Sequence, residues 1–290
     1  MSDRAWTLKR LEQTLQTMPR PEFRARLKAE LEKPMTTATD SRVSVTAYLV
    51  VPDAPALIEF VKDVFGASEN LPRHVGSGGG VHAEVVIGDT LVMIGGGGPG
   101  LSWRGESTPA ALHVYVPDID AAYARAIRAG AASIDAPKDH EYGERGASLK
   151  DAFGNMWYVA TAKGPHFIPS GMHAVNPSLH PVRSEPLLAF MERALGATDI
   201  VKHASPDGVI RYARARIGET VIELGDAHGP YQPMATTFFV NVPDSDAAYH
   251  KGVEAGAQPQ VEPVDQPYGR ASAVRDPFGN VWYFVSPRNA

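Results

Sequence analysis

The sequence contains no cysteine, no strong excess of either charge and no long apolar run. Without cysteine the chain has no disulfide, thiolate nucleophile or cysteine metal site, so any metal must be held by His, Asp, Glu or water. Its 28 basic and 33 acidic residues give a formal net charge of -5, which argues against binding to nucleic-acid phosphates. No apolar stretch approaches the roughly 20 residues that cross a bilayer, and the N-terminus lacks an apolar signal-peptide core. We expect a cytoplasmic protein that binds neither nucleic acid nor membrane.

One plan of strand, turn, helix and glycine occurs four times, at 50–67, 115–131, 180–197 and 241–257. A short side chain that can serve as the helix N-cap precedes each predicted helix: Asp53, Asp118, Ser184, and Asp244 or Ser245. A glycine that can adopt a left-handed backbone ends each helix: Gly66, Gly130, Gly196 and Gly256. Alternating apolar and polar residues follow, which predicts strands after each helix. The repeat therefore predicts four similar modules.

The spacing of shared motifs shows that the modules form a higher-order duplication. IGD at 87 and IGE at 217 lie 130 residues apart, and the VPD strings at 116 and 242 lie 126 apart. Modules one and three therefore correspond, as do two and four. Because a lone four-stranded module leaves its sheet edges open, we expect consecutive modules to join around a shared pocket. This gives one domain at 41–163 and a second at 172–290.

Residues 1–40 stand outside this duplication. Leucines at helical spacing, with two prolines interrupting the pattern, predict a short helical arm there. Its mixed acids and bases favour packing against the body or a second subunit over lying on a membrane. The sequence leaves a monomer and a homodimer as open alternatives.

Several motifs resemble one known family. They are TAYLVVPDA at 46, VHAEVVIGD at 81, LHVYVPDID at 112, YGER at 142 and DAFGNMWYVAT at 151. Together they are similar to the vicinal oxygen chelate superfamily, which includes glyoxalase I, bleomycin-resistance proteins and extradiol dioxygenases, and most of all to its PhnB-like branch. The resemblance implies an α+β fold, with four βαβββ modules forming two vicinal oxygen chelate domains behind the N-terminal helical extension. The same fold hosts isomerases, lyases, dioxygenases and non-catalytic binders, so it leaves the chemistry open.

The resemblance also implies where a metal would bind. Metal enzymes of this superfamily hold a divalent ion with side chains from the first and last strands of paired modules. In the first domain these positions carry Thr46, Met93, Ala111 and Tyr158, and in the second Asn176, Glu223, Thr237 and Tyr283. Only Glu223 is a strong ligand for a hard or borderline cation. We therefore expect no metal cofactor at the inherited positions.

Strand alternation gives a different set of candidates for chemistry. In VHAEVVI, Val81, Ala83, Val85 and Ile87 form the apolar face, which leaves His82 and Glu84 on the other face. The same reasoning turns His113 toward the concave side. We predict that His82, Glu84 and His113 converge in the first pocket as catalytic residues, with a general base and an orienting acid. The alternatives are a plain hydrogen-bonding set or a displaced site for Zn, Ni, Mn or Fe, with Glu84 or Glu223 as its carboxylate.

The remaining candidates are ligand-binding side chains on the predicted concave faces and in the repeated YG-(E)-R segments. They are Tyr48, Tyr115, Tyr142, Arg145, Tyr158, Tyr212, Arg214, Tyr268, Arg270 and Tyr283. The second pocket has Tyr212, Arg214 and Phe239 where the first has His82, Glu84 and His113. We expect Arg214 to form an ion pair with Glu223, which makes the second pocket a binding or scaffold copy.

Two of these predictions have structural alternatives. Arg145 and Arg270 either hold an anionic ligand group or pair with a nearby aspartate. DAFGN and DPFGN predict turns that need glycine, and Trp157 and Trp282 are predicted to lie in the core.

Three functions follow from these observations. The first is a metal-independent protein that binds a planar or weakly anionic small molecule, like the bleomycin-resistance proteins. The second is a lyase or isomerase that uses His82, Glu84 and His113, with or without a divalent metal, to move a proton next to a carbonyl. The third is an interaction scaffold with vestigial pockets.

Overall fold

The computed structural model describes residues 43–76, 79–99 and 105–287, so the predicted arm at 1–40 lies outside the described residues. The first module contains β1 (Ser44–Val51), α1 (Ala54–Phe65), β2 (Ser68–Glu69), β3 (His74–Val75), β4 (Val81–Ile87) and β5 (Thr90–Gly96). The second contains β6 (Ala111–Tyr115), α2 (Ile119–Arg128), β7 (Ala132–Asp139), β8 (Glu144–Lys150) and β9 (Met156–Ala162). The third contains β10 (Val175–Leu179), α3 (Ser184–Leu195), β11 (Thr198–Ala204), β12 (Ile210–Ile217) and β13 (Thr220–Leu224). The fourth contains β14 (Thr237–Asn241), α4 (Ser245–Glu254), β15 (Gln258–Gln266), β16 (Gly269–Arg275) and β17 (Val281–Ser286).

The four predicted modules and the α+β class are confirmed. Alternation assigns the strand faces correctly: in β4 the apolar residues are buried while His82, Glu84 and Val86 are half-buried on the other face. In the described part of the chain, none of the helices is long and apolar enough to cross a membrane.

Three helices begin as the sequence predicts. The side chains of Asp53, Asp118 and Asp244 each accept a hydrogen bond from the backbone N–H three residues further on, at 3.0 to 3.1 Å. Asp244, rather than Ser245, is therefore the N-cap of α4. Each cap satisfies one of the backbone donors that the first helical turn leaves free.

Helix α3 begins differently, and the prediction that Ser184 is its N-cap is wrong. Ser184 is the first helical residue, and its N–H donates to Asp226 Oδ1 at 2.6 Å. The second carboxylate oxygen of Asp226 accepts a hydrogen bond from the Ile210 N–H at 3.1 Å. Arg183 occupies the cap position but makes no side-chain cap bond. The first backbone N–H of this helix donates instead to the Asp226 carboxylate, 42 residues further along the chain.

Replacing Asp226 should therefore cost more stability than replacing a local cap. Asp226→Ala leaves two buried N–H donors without acceptors, and we expect a loss of about 2–4 kcal/mol. The matched variant Asp118→Ala removes one exposed cap and should cost about 1 kcal/mol. Urea unfolding monitored by circular dichroism gives both values. Equal losses in the two variants would contradict this account of α3.

Two mixed sheets contain all of the described strands. Sheet 1 has the order β15-β16-β17-β14-β1-β5-β4-β2, with β3 also paired to β4. Sheet 2 has the order β11-β12-β13-β10-β6-β9-β8-β7. The sheets are joined internally by antiparallel pairs of first strands, β1 with β14 and β6 with β10. Sheet 1 thus combines modules one and four, and sheet 2 combines modules two and three.

This arrangement corrects the predicted pairing of consecutive modules around a shared pocket. The four first strands all present a similar open edge, so alternation within each module cannot decide which edges meet. Consecutive modules do pack together, but through their helices: α1 contacts α2, and α3 contacts α4. The fully buried Trp157 of module two, for example, lies 5.0 Å from the ring of Phe65 in module one. Modules one and two share a core, as do modules three and four, whereas the sheets join module one to module four and module two to module three.

The DAFGN and DPFGN segments are confirmed as turns, and both tryptophans lie in the core as predicted. The buried carboxylate of Asp151 accepts hydrogen bonds from the indole N–H of Trp157 at 2.9 Å and the side-chain amide of Asn155 at 2.8 Å. Asp276 makes the same bonds in the second copy. Gly154 has a φ of 93°, which a residue with a β-carbon adopts only with strain. These segments are structural.

Candidate functional site

One face of sheet 2 borders a cavity of about 680 Å³. Its walls are rich in histidine and tyrosine, and every strand of modules two and three contributes to them. The aromatic and imidazole side chains are His113, Tyr115, His140, Tyr142, Tyr158, His180, His203, Tyr212, His228 and Tyr231. A cavity of this size, lined by aromatic groups and a few polar ones, is typical of a site for a small organic molecule.

Four residues at the centre of sheet 2 occupy equivalent positions on its four inner strands. In the parallel ladders His113 of β6 pairs with Tyr158 of β9, and Ser178 of β10 pairs with Glu223 of β13. All four line the cavity. We call them the central quartet. It contains one histidine and one carboxylate, which are contributed by different modules.

Sheet 1 has a quartet in the same registers, but with different chemistry. Tyr48 pairs with Met93, and Phe239 pairs with Tyr283. The Tyr48 phenol lies so close to Gly95 that a β-carbon at that position would collide with the ring. The Phe239 and Tyr283 rings stack with centroids 6.1 Å apart. The two sheets have thus diverged, because aromatic and thioether groups stand where sheet 2 has its histidine and carboxylate.

The histidine and the carboxylate of the central quartet contact each other directly. His113 Nδ1 lies 2.8 Å from Glu223 Oε2, although the residues are 110 positions apart in sequence. Burial alone would lower the pKa of His113, but the Glu223 carboxylate outweighs it through charge and hydrogen bonding, and Glu144 adds to its effect. The pKa of His113 is consequently raised, which favours an imidazolium–carboxylate pair.

A second carboxylate lies near this pair. The Tyr115 hydroxyl donates to Glu144 Oε1 at 2.9 Å, and the Tyr115 ring lies 4.3 Å from the His113 ring. Burial and the two nearby carboxylates raise the pKa of Tyr115, so its phenol keeps its proton. The same causes, burial first and then the Glu223 carboxylate, raise the pKa of Tyr212. The deep part of the cavity therefore holds two carboxylates, a histidine whose pKa is raised, and neutral phenols.

The other side of the cavity is built around a neutral histidine. The Tyr158 hydroxyl lies 2.8 Å from His180 Nε2. Burial, together with the nearby His228, lowers the pKa of His180 to about 4. The Tyr231 ring stacks on His180 with centroids 5.6 Å apart, and its hydroxyl bonds to Asp135 and to Ser148.

These donors do not fit the divalent metal that the fold family implies. Two positions of the central quartet carry Tyr158 and Ser178, whose neutral hydroxyls are poor ligands for such an ion. The other two, His113 and Glu223, are bonded to each other. Among the described residues, no three His, Cys, Asp or Glu side chains are grouped so that they could hold a metal ion.

The predicted convergence of His82, Glu84 and His113 is wrong. His82 and Glu84 lie on β4 in sheet 1, whereas His113 lies on β6 in sheet 2. His82 Nδ1 lies 2.9 Å from the Tyr48 hydroxyl, and Glu84 accepts from the Asn70 amide at 2.8 Å. The error follows from the wrong module pairing, since alternation placed each side chain on the correct face.

Four of the predicted ligand-binding residues line the cavity: Tyr115, Tyr142, Tyr158 and Tyr212. The prediction had divided them between two pockets, and the structure brings them into one. Tyr142 stands at its outer part, with 72% of its surface exposed. Burial of its hydroxyl end and the nearby carboxylates raise the pKa of Tyr142 to about 12.

The remaining candidates do not line this cavity. Tyr48, Tyr268 and Tyr283 belong to sheet 1, where the Tyr268 and Tyr283 hydroxyls lie 3.2 Å apart. For the two arginines the aspartate alternative is confirmed. Arg145 donates to both carboxylate oxygens of Asp120, at 2.8 Å each, and Arg270 donates to Asp246 in the same way.

The predicted ion pair between Arg214 and Glu223 is wrong. The two residues are cross-strand partners, but Glu223 pairs with His113 instead. Arg214 Nη1 lies 3.9 Å from Met172 Sδ, and the side chain borders a separate cavity of about 310 Å³. Glu223 is therefore not neutralised by arginine.

Several cavity residues escaped sequence reasoning. His180 follows the last residue of β10, and Tyr231 lies in the connection between β13 and β14, whose path cannot be read from alternation. Glu144 could have been identified as a cavity residue from the sequence, because it lies within the YGER motif beside Arg145. Alternation along β8 places Glu144, and not Arg145, on the same face as Gly146 and Ser148, which also line the cavity.

The His113–Glu223 pair predicts a specific pH dependence. Because the folded pKa of His113 is raised, the stability contributed by the pair is complete below about pH 6.5 and is lost as pH rises through that folded pKa. The stability difference between the wild type and Glu223→Gln should therefore be larger at pH 6 than at pH 9. NMR titration should show a lower His113 pKa in the variant, with His180 as an internal control that does not titrate in this range. A pH-independent difference would contradict the pairing.

Comparison with known proteins agrees with this architecture. The sequence profile of the Glyoxalase/Bleomycin resistance protein/Dioxygenase superfamily matches residues 42–159 and 184–284. The chain therefore belongs to this superfamily. An uncharacterized protein of Mycobacterium tuberculosis is 35% identical over 130 residues, which cover 42% of this chain and 76% of that protein. A Mycobacterium bovis protein, also uncharacterized, is 35% identical over 122 residues, covering 39% and 80% respectively.

Among solved structures, glyoxalase I from Zea mays superposes with a TM-score of 0.62 at 17% identity. The superposition covers 84% of this chain and 93% of the maize protein. At this identity the likeness concerns the fold alone.

Proposed function

We propose that the chain binds a small planar organic molecule in the sheet 2 cavity and that binding requires no metal ion. The observation that carries the proposal is the composition of the central quartet: two hydroxyls, and a histidine and a carboxylate bonded to each other at 2.8 Å. The surrounding tyrosines supply flat apolar surfaces that also carry hydrogen-bonding groups. Such a cavity suits a ring system with one or two polar substituents.

The finer family assignment is part of the same proposal. The motifs VHAEVVIGD, YGER and DAFGNMWYVAT support the PhnB-like branch. The phenols of the cavity and its poor set of metal ligands support a role similar to that of the bleomycin-resistance proteins. The sequestered compound would be held by aromatic contact and hydrogen bonds and not by coordination to a metal.

A cavity-filling variant tests this function. Ser178→Tyr copies the sheet 1 arrangement, in which Tyr48 packs over Gly95, because Gly225 occupies the corresponding place in sheet 2. We expect the wild type to bind 1-anilinonaphthalene-8-sulfonate with enhanced fluorescence, equally with and without a chelator. Ser178→Tyr should weaken binding at least tenfold, since the new ring occupies the cavity.

Tyr48→Phe is the matched control, because it changes a tyrosine at the equivalent register of sheet 1 and should leave binding unchanged. Circular dichroism checks that both variants are folded. The proposed cavity is wrong if Ser178→Tyr binds the dye as tightly as the wild type. Loss of binding on chelation would overturn the metal-independent part.

A second candidate is an enzyme that transfers a proton next to a carbonyl group. It is favoured by one observation, the raised pKa of His113 beside the Glu223 carboxylate. A protonated imidazole can donate to a carbonyl oxygen, and a carboxylate within reach can accept the proton from the adjacent carbon. This replaces the predicted trio, since His82 and Glu84 lie in the other sheet.

Hydrogen–deuterium exchange of dihydroxyacetone in D₂O, followed by NMR, tests the enzyme. We expect the wild type to accelerate exchange of the carbon-bound protons, and His113→Phe to abolish the acceleration. Position 239 carries phenylalanine at the equivalent register, so the variant should fold. Unchanged exchange in His113→Phe would exclude this pair as the proton carrier.

A further inference from the structure

The side chain of Tyr231 lies within the cavity as a ligand would. Its ring lies 5.5 Å from Tyr158 and 5.6 Å from His180, with an interplanar angle of 27° to the imidazole. The hydroxyl reaches across the cavity to module two, where it bonds to Asp135 and lies 2.8 Å from the Ser148 hydroxyl. The phenol thus stacks on the His180 ring and makes a tilted contact with the Tyr158 ring, with a carboxylate at its polar end.

The segment that carries Tyr231 has few other attachments to the body. Backbone bonds at 228–231 join His228 and Tyr231 to each other, and the Gln232 amide bonds to Gly229 in the same segment. Ala227, at the start of the segment, bonds to Pro181. Between that bond and Thr236, two of the described side chains make hydrogen bonds outside the segment: the His228 imidazole to the Asp226 carbonyl, and the Tyr231 hydroxyl to Asp135 and Ser148. The Tyr231 phenol therefore makes the hydrogen bonds that join the tip to module two.

The hydrogen bond at the polar end has a definite direction. The bond from Tyr231 lowers the pKa of Asp135, so the carboxylate is ionised and acts as an acceptor. Burial and the same carboxylate raise the pKa of Tyr231, which therefore stays a donor. A ring that replaced Tyr231 would need a hydroxyl at the same end. An ether or a plain hydrocarbon would leave Asp135 with only its longer bonds from Lys138 and Ser148, at 3.3 Å each.

We propose that Tyr231 is an internal ligand of a phenol-binding slot, and that a phenolic compound binds by displacing its ring and taking over the bonds to Asp135 and Ser148. This rests on the proposed function, since it names the ligand class of the same cavity. Tyr231 then competes with the ligand for the slot, and the ligand must release the segment at 228–235 in order to bind. Selectivity for phenols follows because the ionised carboxylate favours a hydrogen-bond donor at that point over an ether oxygen or a hydrocarbon.

The probe is p-cresol, the side-chain analogue of tyrosine, compared with 4-methylanisole, which has the same ring but no donor. Calorimetry should give a Kd for p-cresol at least tenfold lower in Tyr231→Ala than in the wild type. In that variant p-cresol should bind about tenfold more tightly than 4-methylanisole, and Asp135→Ala in the same background should remove this preference.

Tyr231→Phe is a second variant that controls for a folding defect in Tyr231→Ala. It keeps the ring but loses the hydroxyl anchor, so it should bind p-cresol about threefold more tightly than the wild type. Tyr268→Ala, at an exposed tyrosine of sheet 1, is the matched control and should leave the affinity unchanged. Amide exchange at 228–236 of the wild type should become faster when p-cresol is bound.

The outcomes separate this inference from the function on which it rests. Equal p-cresol affinity in the wild type and both Tyr231 variants, or slower exchange at 228–236, overturns the displacement. Failure of p-cresol to bind Tyr231→Ala overturns the phenol slot, while continued binding of 1-anilinonaphthalene-8-sulfonate leaves the cavity function intact. If neither compound binds the wild type or Tyr231→Ala, the proposed function itself fails.

Discussion

The antiparallel pairing of β6 with β10 determines the site. It aligns Asn176 with His113 across the junction of modules two and three. His113 then lies beside Glu223, because β13 runs parallel to β10 on the far side. The buried charge pair, the surrounding phenols and the cavity itself all depend on this junction. A different choice of partner for β6 would leave a histidine and a carboxylate in separate sheets.

The two sheets have the same strand registers but different side chains at their centres. In sheet 1 the quartet positions carry aromatic and thioether groups, and Tyr48 occupies space that Gly95 leaves free. In sheet 2 serine stands at the position of Tyr48 and leaves room for a cavity. The backbone registers are the same. The two sheets therefore differ in side-chain volume at a few central positions.

Local features of the fold could be predicted from the sequence, because their causes are local. Alternation placed His82 and His113 on the correct faces, and the spacing of aspartates located three of four helix starts. The start of α3 could not be found in this way, since its cap comes from Asp226 in another part of the chain. The prediction of the site failed for the same reason, because it too depends on contacts between distant parts of the chain. His113 and Glu223 meet only through the choice between equivalent strand edges, which no local pattern records.

The connection at 163–171 joins two halves that look like separate domains in the sequence. Each sheet nevertheless takes one module from each half, and helix contacts pack the two modules of each half together. The two halves are therefore interlocked and cannot swing about this connection as rigid lobes. A chain severed there would yield two fragments, neither of which holds a complete sheet, so each would have to recruit the other before the cavity could exist.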